Sequence, residues 1–383
     1  ARTPGEKRHR AEPGGPALFF TGLIDGVLER SRAVVGVALL LTAAFIWQAS
    51  SMRPDIFVRS QLPDGSDVET GLAHADEALA GIQGVRIAAS WDEGVRDDPF
   101  EVIAGVEALI EKEPLLAPPL SVNTLIEAAP AAARLFTAPE KLLEEVPPEI
   151  VARFYRSELR RALVNSRVQD LGVATYAPVY ERLQDRLAAL EKQHPGFRFR
   201  LTGGGVDWHR YLHQMVTDLA LSLSIAAGII LLVITAGYRS LRVGLIAVLP
   251  NLFPLLACAA GLATMGKPLS LEIVCAFTIC LGIAADDSIH FLSRFRAERA
   301  DGASIEGALQ TAFMRVGHVL CVTTIVMVAG IGSILLSSLP IYRNFAGIAC
   351  ATLAAALVAD LIILPALLKL FARRRPQEAG TLN

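Results

Sequence analysis

Apolar runs of about twenty residues constrain this chain before any other feature does. A helix of that length crosses the hydrocarbon core of a bilayer with its backbone polar groups satisfied internally. Six segments have the length: Ala33–Met52, Leu219–Ala236, Val243–Met265, Ser270–Ser293, His318–Leu339 and Phe345–Leu368. The first stands alone, and the other five follow a long stretch of ordinary water-soluble composition. Over all 383 residues 52% are apolar and 19% charged, with a mean hydropathy of +0.44. The apolar excess lies in 33–52 and 219–371, which excludes one large water-soluble enzyme. A net charge of −2 gives no sign of a nucleic-acid surface.

Residues 1–16 are polar, basic and rich in Pro and Gly, and read as a cytoplasmic linker continued from a longer chain. Nothing there joins a short apolar core to a cleavage site. Residues 17–32 place Phe20, Leu23, Ile24, Val27 and Leu28 on one helical face, an amphipathic helix at a membrane surface. The first span then covers 33–52, a water-facing domain 53–215, a five-helix bundle 216–372 and a cytoplasmic tail 373–383. Basic residues concentrate on the cytoplasmic side of membrane proteins. Sixteen, among them Arg30, Arg32, Arg239, Arg242, Arg294, Arg296, Arg315 and Lys369, fall on one side of the six spans. Only Lys267 and Arg343 occupy the opposite short loops. Both termini are therefore expected in the cytoplasm and 53–215 outside.

Within 53–215 the pattern gives strands at Asp55–Arg59 and Val85–Trp91 around a helix near Val68–Ala80. The order repeats with a strand at Arg161–Gln169, a helix at Tyr176–Gln193 and a strand at Phe197–Thr202. Two split βαβ units predict a ferredoxin-like α+β domain, with a Pro-punctuated helical insert over 98–158. The run Thr202-Gly203-Gly204-Gly205 lacks the frame of a phosphate loop and reads as a flexible turn. Cys258, Cys275, Cys280, Cys321 and Cys350 all lie in apolar runs and read as free small hydrophobes. The seven histidines show no metal-ligand spacing, so no metal and no cofactor are expected.

Asp286 and Asp287 carry the strongest chemical signal. A charged carboxylate at mid-membrane costs about 2.5–3.5 kcal/mol, and two adjacent ones need a reason. His290 lies one turn on and shares their general face. One reading is a polar cluster joining helices; the other, which the cost favours, is a titratable proton or ion site. Asp360 in the last span divides between a structural partner and a member of that site. Thr323 and Thr324 bond back to their own helix by default. Pro250 and Pro254 flank Asn251 and free backbone groups that need partners.

The stretch Gly282-Ile-Ala-Ala-Asp286-Asp287-Ser-Ile-His-Phe291, followed by Arg294-Phe-Arg, resembles the G-x-x-x-D-D helix of the resistance-nodulation-division (RND) superfamily. The nearest branch contains MMPL-type, hopanoid-type and Patched-like lipid transporters. Tyr238-Arg-Ser-Leu-Arg242, Leu249-Pro-Asn-Leu-Phe-Pro254, Thr323-Thr324 and Ala359-Asp-Leu-Ile-Ile-Leu-Pro365 resemble other stretches of that branch. The resemblance covers roughly 17–371.

It implies a transporter rather than an enzyme, built from two repeats, with this chain as the C-terminal one. It implies proton-driven export of lipids or other hydrophobic or amphiphilic molecules across a bacterial inner membrane. Asp286, Asp287, His290, Thr323, Thr324 and Asp360 would form the proton relay. Expected partners are membrane lipids, the substrate, and either an N-terminal half or a second copy in an oligomer; nucleic acid is not expected. Two other readings stay open, a SecD/SecF-like export accessory subunit and a sterol-sensing-like lipid receptor. The Asp-Asp-Ser order argues against the first, and a passive sensor needs no carboxylate pair.

Overall fold

The structure is a computed structural model that describes residues 15–129, 138–238 and 240–372. Most of the linker, the tail 373–383 and Arg239 lie outside the described residues. The chain divides into two compact units, Arg53–Asp218 and the residues on either side of it.

The water-facing unit is built on a four-stranded antiparallel sheet. Its strands are β1 (Gln83–Trp91), β2 (Tyr155–Arg156), β3 (Arg161–Val168) and β4 (Phe197–Thr202), in the order β2-β3-β1-β4. β1 pairs with both β3 and β4, with Ile87 opposite Val164 on one side and Leu201 on the other. Alternation does the sorting. Val85, Ile87 and Ala89 of β1, Val164 and Val168 of β3, and Leu201 of β4 point to one face and are buried. Two helices cover that face. Pro99–Glu111 contributes Ile103, Val106 and Ile110, and Val173–Gln193 contributes Tyr176, Tyr180, Leu183 and Leu187. Both sets recur at three and four residues, the period of a half-buried helix.

β3, the helix Val173–Gln193 and β4 form one split βαβ unit around β1. The first expected unit does not form, because Asp55–Arg59 is not a strand. Its amides are taken by carboxylates. Val58 and Arg59 donate to Asp170 at 3.0 and 2.8 Å, and Ile56 donates to Asp55 at 2.9 Å. Asp55 also accepts from Ala174 at 3.0 Å, at the start of the long helix. A segment whose N–H groups are satisfied this way has little left to offer a sheet edge. The sheet gains the two-residue β2 instead.

The insert is helical in short pieces, each with a start signal. Asp98 caps Pro99–Glu111, Ser121 and Thr124 form a capping box for Val122–Glu127, and Pro139 and Pro148 open two more helices. Residues 130–137 lie outside the described part. The glycine run is a tight corner, not a flexible turn. Gly203 has φ +121°, and a Cβ there would lie 2.4 Å from the Gly84 carbonyl oxygen. A Cβ on Gly205 would sit 2.5 Å from the Tyr180 hydroxyl.

In the other unit, among the described residues, five helices are long and apolar enough to cross a membrane: Ser31–Ala49, Gly244–Thr264, Leu271–Ala300, Ile305–Leu336 and Pro340–Phe371. A shorter apolar stretch, Leu221–Ala236, lies within the helix Gly204–Tyr238. This is a multi-pass membrane protein. Large apolar side chains such as Leu40, Trp47, Leu232, Ile325 and Leu336 face outward, as they must in lipid. Small residues join the fourth and last spans, where Ala276 and Cys280 meet Ala349 and the Cys280 thiol lies 3.6 Å from the Ala349 carbonyl oxygen. The helix Gly15–Glu29 packs Ile24, Val27 and Leu28 into the core of the bundle. Lys369 ties it down, donating to the Leu28 carbonyl at 3.0 Å while pairing with Glu306 at 2.6 Å.

Glu113 anchors the insert of the Arg53–Asp218 unit. Its side chain is 3% exposed, and it accepts from Arg182 at 2.7 and 3.3 Å and from Arg186 at 2.9 Å. The Arg182 hydrogen bonds hold its carboxyl below the ordinary 4.5, against the opposing effect of burial. A depressed carboxylate stabilises the fold at pH above its unfolded value, and that contribution is lost as pH falls through the lower folded one. Glu113→Gln is expected to cost about 1.5–3 kcal/mol. Amide exchange in Pro99–Glu111 of the full chain should rise in the variant at pH 7, and the gap from wild type should close in acid.

Candidate functional site

The fourth span, Leu271–Ala300, organises the site because three consecutive polar positions on it, Asp286, Asp287 and Ser288, face different ways. Successive residues on a helix turn by about 100°. Asp286 is exposed, Asp287 half-buried and Ser288 fully buried. The helix therefore presents its carboxylate pair on one side and a serine hydroxyl on the other.

On the first side lies a groove of about 790 Å³ between the fourth and fifth spans. Asp286, Asp287 and His290 line one wall, and Thr323 and Thr324 the other. His290 Nε2 stands 3.7 Å from Asp286 Oδ1, and their side chains are 67% and 73% exposed. Thr323 bonds back to the carbonyl groups of Val319 and Leu320 at 3.1 and 3.0 Å. Arg294 and Arg315 line the same groove, and Arg294 pairs with Glu298. Five of the six residues singled out in the sequence thus share one groove.

Asp360 does not join them there. It is 2% exposed and lies behind the fourth span, where Ser288 Oγ donates to its Oδ1 at 2.5 Å. Asn251 Nδ2 donates in turn to Ser288 Oγ at 3.3 Å and to the Ala247 carbonyl at 2.6 Å. A buried relay, Asn251 to Ser288 to Asp360, therefore joins the third, fourth and last spans. Its outer end is open: Asn251 Oδ1 is buried with no hydrogen-bond partner among the described residues.

Asp360 owes its placement to a local departure from α geometry. Ala359–Ile363 winds as a π-helical turn inside the last span. Pro365 lies two residues beyond it and has no N–H to offer the Leu361 carbonyl, so the regular ladder is interrupted. Such turns recur at functional sites. A second one, Phe313–Gly317, lies within Ile305–Leu336 and carries Arg315. The two turns touch, since a Cβ on Gly317 would sit 3.2 Å from a methyl of Leu361.

Ser288 and Asn251 had not been singled out for chemistry. Ser288 directly follows the Asp pair, so helical rotation points it away from their groove. Asn251 sits between two prolines, where the sequence suggested a kink with freed carbonyls. Its amide instead bonds to Ala247, one turn back, and to the neighbouring helix.

The arrangement is chemically two-sided. An open groove holds two carboxylates, an imidazole and hydroxyls, and a closed compartment holds a third carboxyl with hydroxyl and amide neighbours. Both sets hold groups that can exchange protons.

The model of the MMPL family matches residues 168–381, more than half of the chain and all of the site. A membrane protein of Methanocaldococcus jannaschii, MJ1562, is 23% identical over 234 residues. The matched region is 59% of this chain and 58% of that protein. The chain thus spans less than two thirds of the length of the curated relative it matches.

The buried relay can be tested apart from any transport. Ser288→Ala removes the donor to Asp360 and should destabilise the bundle by about 1–3 kcal/mol. The readout is the thermal unfolding midpoint in detergent. Ser293→Ala, an exposed serine one and a half turns along the same helix, should leave it unchanged.

Proposed function

We propose that this chain, which belongs to the MMPL family, is one repeat of an RND-type transporter that uses the proton gradient to export lipids or other amphiphilic molecules. Asp286 and Asp287 exchange the protons, and His290 tunes or relays them. Thr323 and Thr324 offer hydroxyls across the groove. Asp360 is the inner carboxyl, held by Ser288. No cofactor is needed, because the gradient supplies the energy, about 2.3 kcal/mol per charge per 100 mV. The porter-like outer domain handles the amphiphile, and six spans embed the repeat.

One observation carries this reading: two polar side chains of the groove, Asp286 and His290, stand open on the flank of an apolar bundle. Exposed to lipid, such groups would be costly. A second repeat, from a missing N-terminal half or another copy, would cover the groove and turn it into an internal path. The energetic argument therefore supports both a proton site and a paired assembly.

The decisive experiment is transport of a fluorescent phospholipid in proteoliposomes energised by a pH gradient, using the complete assembly. Asp286→Asn and Asp287→Asn keep size and hydrogen bonding but cannot titrate. Each should reduce energised transport to the level of empty vesicles while unfolding behaviour stays as in wild type. Full transport by the double variant would reject the proton role, and would leave a lipid-binding receptor as the better reading.

The orientation proposed from the basic residues places both termini in the cytoplasm of a bacterial inner membrane and the outer domain in the periplasm. In a background without native cysteines, a thiol at the exposed Glu144 should react with an impermeant reagent from the periplasmic side. A thiol at Arg374 should react only after permeabilisation. Labelling of both from one side would overturn the topology.

A further inference from the structure

The sheet of the outer unit has a second face, and among the described residues neither long helix covers it; only the end of the short helix Pro148–Phe154 reaches it. On β1 that face carries Gly84, Arg86, Ala88 and Ser90; on β3 Arg161, Leu163, Asn165 and Arg167; on β4 Arg198, Arg200 and Thr202. Arg156 of β2 joins them. The four strands hold six arginines and no acidic residue, and all six arginines point to the open face.

The register crowds these charges together. Arg156 stands directly opposite Arg161 across the β2–β3 ladder, an arrangement of like charges that destabilises a sheet. Arg198 and Arg200 are two apart on one strand and face the same way, next to Ser90 and Ala88. Among the described residues, Arg86, Arg161, Arg167, Arg198 and Arg200 form no ion pair. Such crowding makes the face attractive to anions.

The face is also concave. Two hollows of about 520 and 800 Å³ lie on it, within the roughly 300–1,000 Å³ of small-molecule sites. They share Arg153, Phe154 and Leu163, so they form one trough. No acidic residue lines either hollow. The floor is apolar, from Phe154, Leu163 and Ala88, and the rim is guanidinium. A planar guanidinium fork matches a phosphate oxygen pair, and an apolar floor suits an aliphatic chain. An acidic protein surface would meet the guanidinium rim but offer no aliphatic chain to the apolar floor.

We propose, resting on the reading that the outer domain handles the amphiphile, that this open sheet face binds an anionic amphiphile with a phosphate-monoester headgroup, the headgroup held by Arg156, Arg198 and Arg200 and the chain lying over Phe154 and Leu163. The site is separate from the carboxylate groove. Equilibrium binding needs no energy source, so failure here leaves the proton reading standing, and the reverse is also true.

The test uses the full chain in nanodiscs of phosphatidylcholine alone. Dihexanoyl phosphatidic acid is titrated by calorimetry against empty nanodiscs as blank. Saturable binding is expected that weakens as salt rises. The Arg198→Gln, Arg200→Gln double variant should bind roughly tenfold more weakly, and Arg198→Lys, Arg200→Lys should recover part of the loss. These side chains are solvent-facing, so the unfolding midpoint should not move. Ala88→Glu, which sets an acid between the guanidinium groups, should abolish binding and serves as a second variant. Dihexanoyl phosphatidylcholine should not compete, and inorganic phosphate should bind more weakly than the amphiphile. The proposal is overturned if the Gln variant binds like wild type, or if the neutral lipid binds as tightly. It is equally overturned if phosphate alone matches the amphiphile, or if polyglutamate binds while the amphiphile does not.

Discussion

The hydrogen bond from Ser288 to Asp360 is the constraint on which the membrane unit turns. A carboxyl buried to 2% exposure in an apolar bundle needs a partner, and Ser288 supplies one at 2.5 Å. That contact fixes the rotation of the fourth span against the last. Once the rotation is set, helical geometry leaves Asp286 and Asp287 no direction but toward the fifth span. The groove is therefore a consequence of the buried contact as much as of the residues that line it. The π-helical turn at Ala359–Ile363 belongs to the same device, because it brings the Asp360 carboxyl within reach of the serine.

In the unit Arg53–Asp218 the analogous fixed point is Glu113, one buried carboxylate with two arginines on it. It fastens the end of Pro99–Glu111 to the long helix Val173–Gln193, and both helices cover the same face of the sheet. The opposite face stays bare and basic. A sheet that buries one face and decorates the other with unpaired guanidinium groups divides its labour: stability on one side, recognition on the other.

Much of this could be seen in the sequence, and the misses have physical causes. The spans were legible because twenty apolar residues have few other uses. β1, β3 and β4 were legible because alternation and β-branched residues coincide there. Asp55–Arg59 looked like a strand, but carboxylates of Asp55 and Asp170 capture its amides. No local pattern reveals a partner more than a hundred residues away. The glycine run looked loose, yet Gly203 and Gly205 are closely approached by backbone and by Tyr180. Of the site, the Asp pair, His290 and the two threonines stood out through cost or resemblance, and they do share a groove. Ser288 and Asn251 did not, since small polar residues in a span are unremarkable until a neighbouring helix is placed. The separation of Asp360 from the pair was equally hidden, because it depends on how two helices are rotated against each other.

The central claim is that Asp286 and Asp287 carry protons through the membrane unit. It is tested most directly by following proton entry with a pH-sensitive dye inside proteoliposomes that hold the complete assembly and its membrane lipids, under an imposed electrical potential. Wild type should acidify the lumen, and the Asp286→Asn, Asp287→Asn variant, equally folded and equally incorporated, should not. Equal acidification by both proteins would contradict the account.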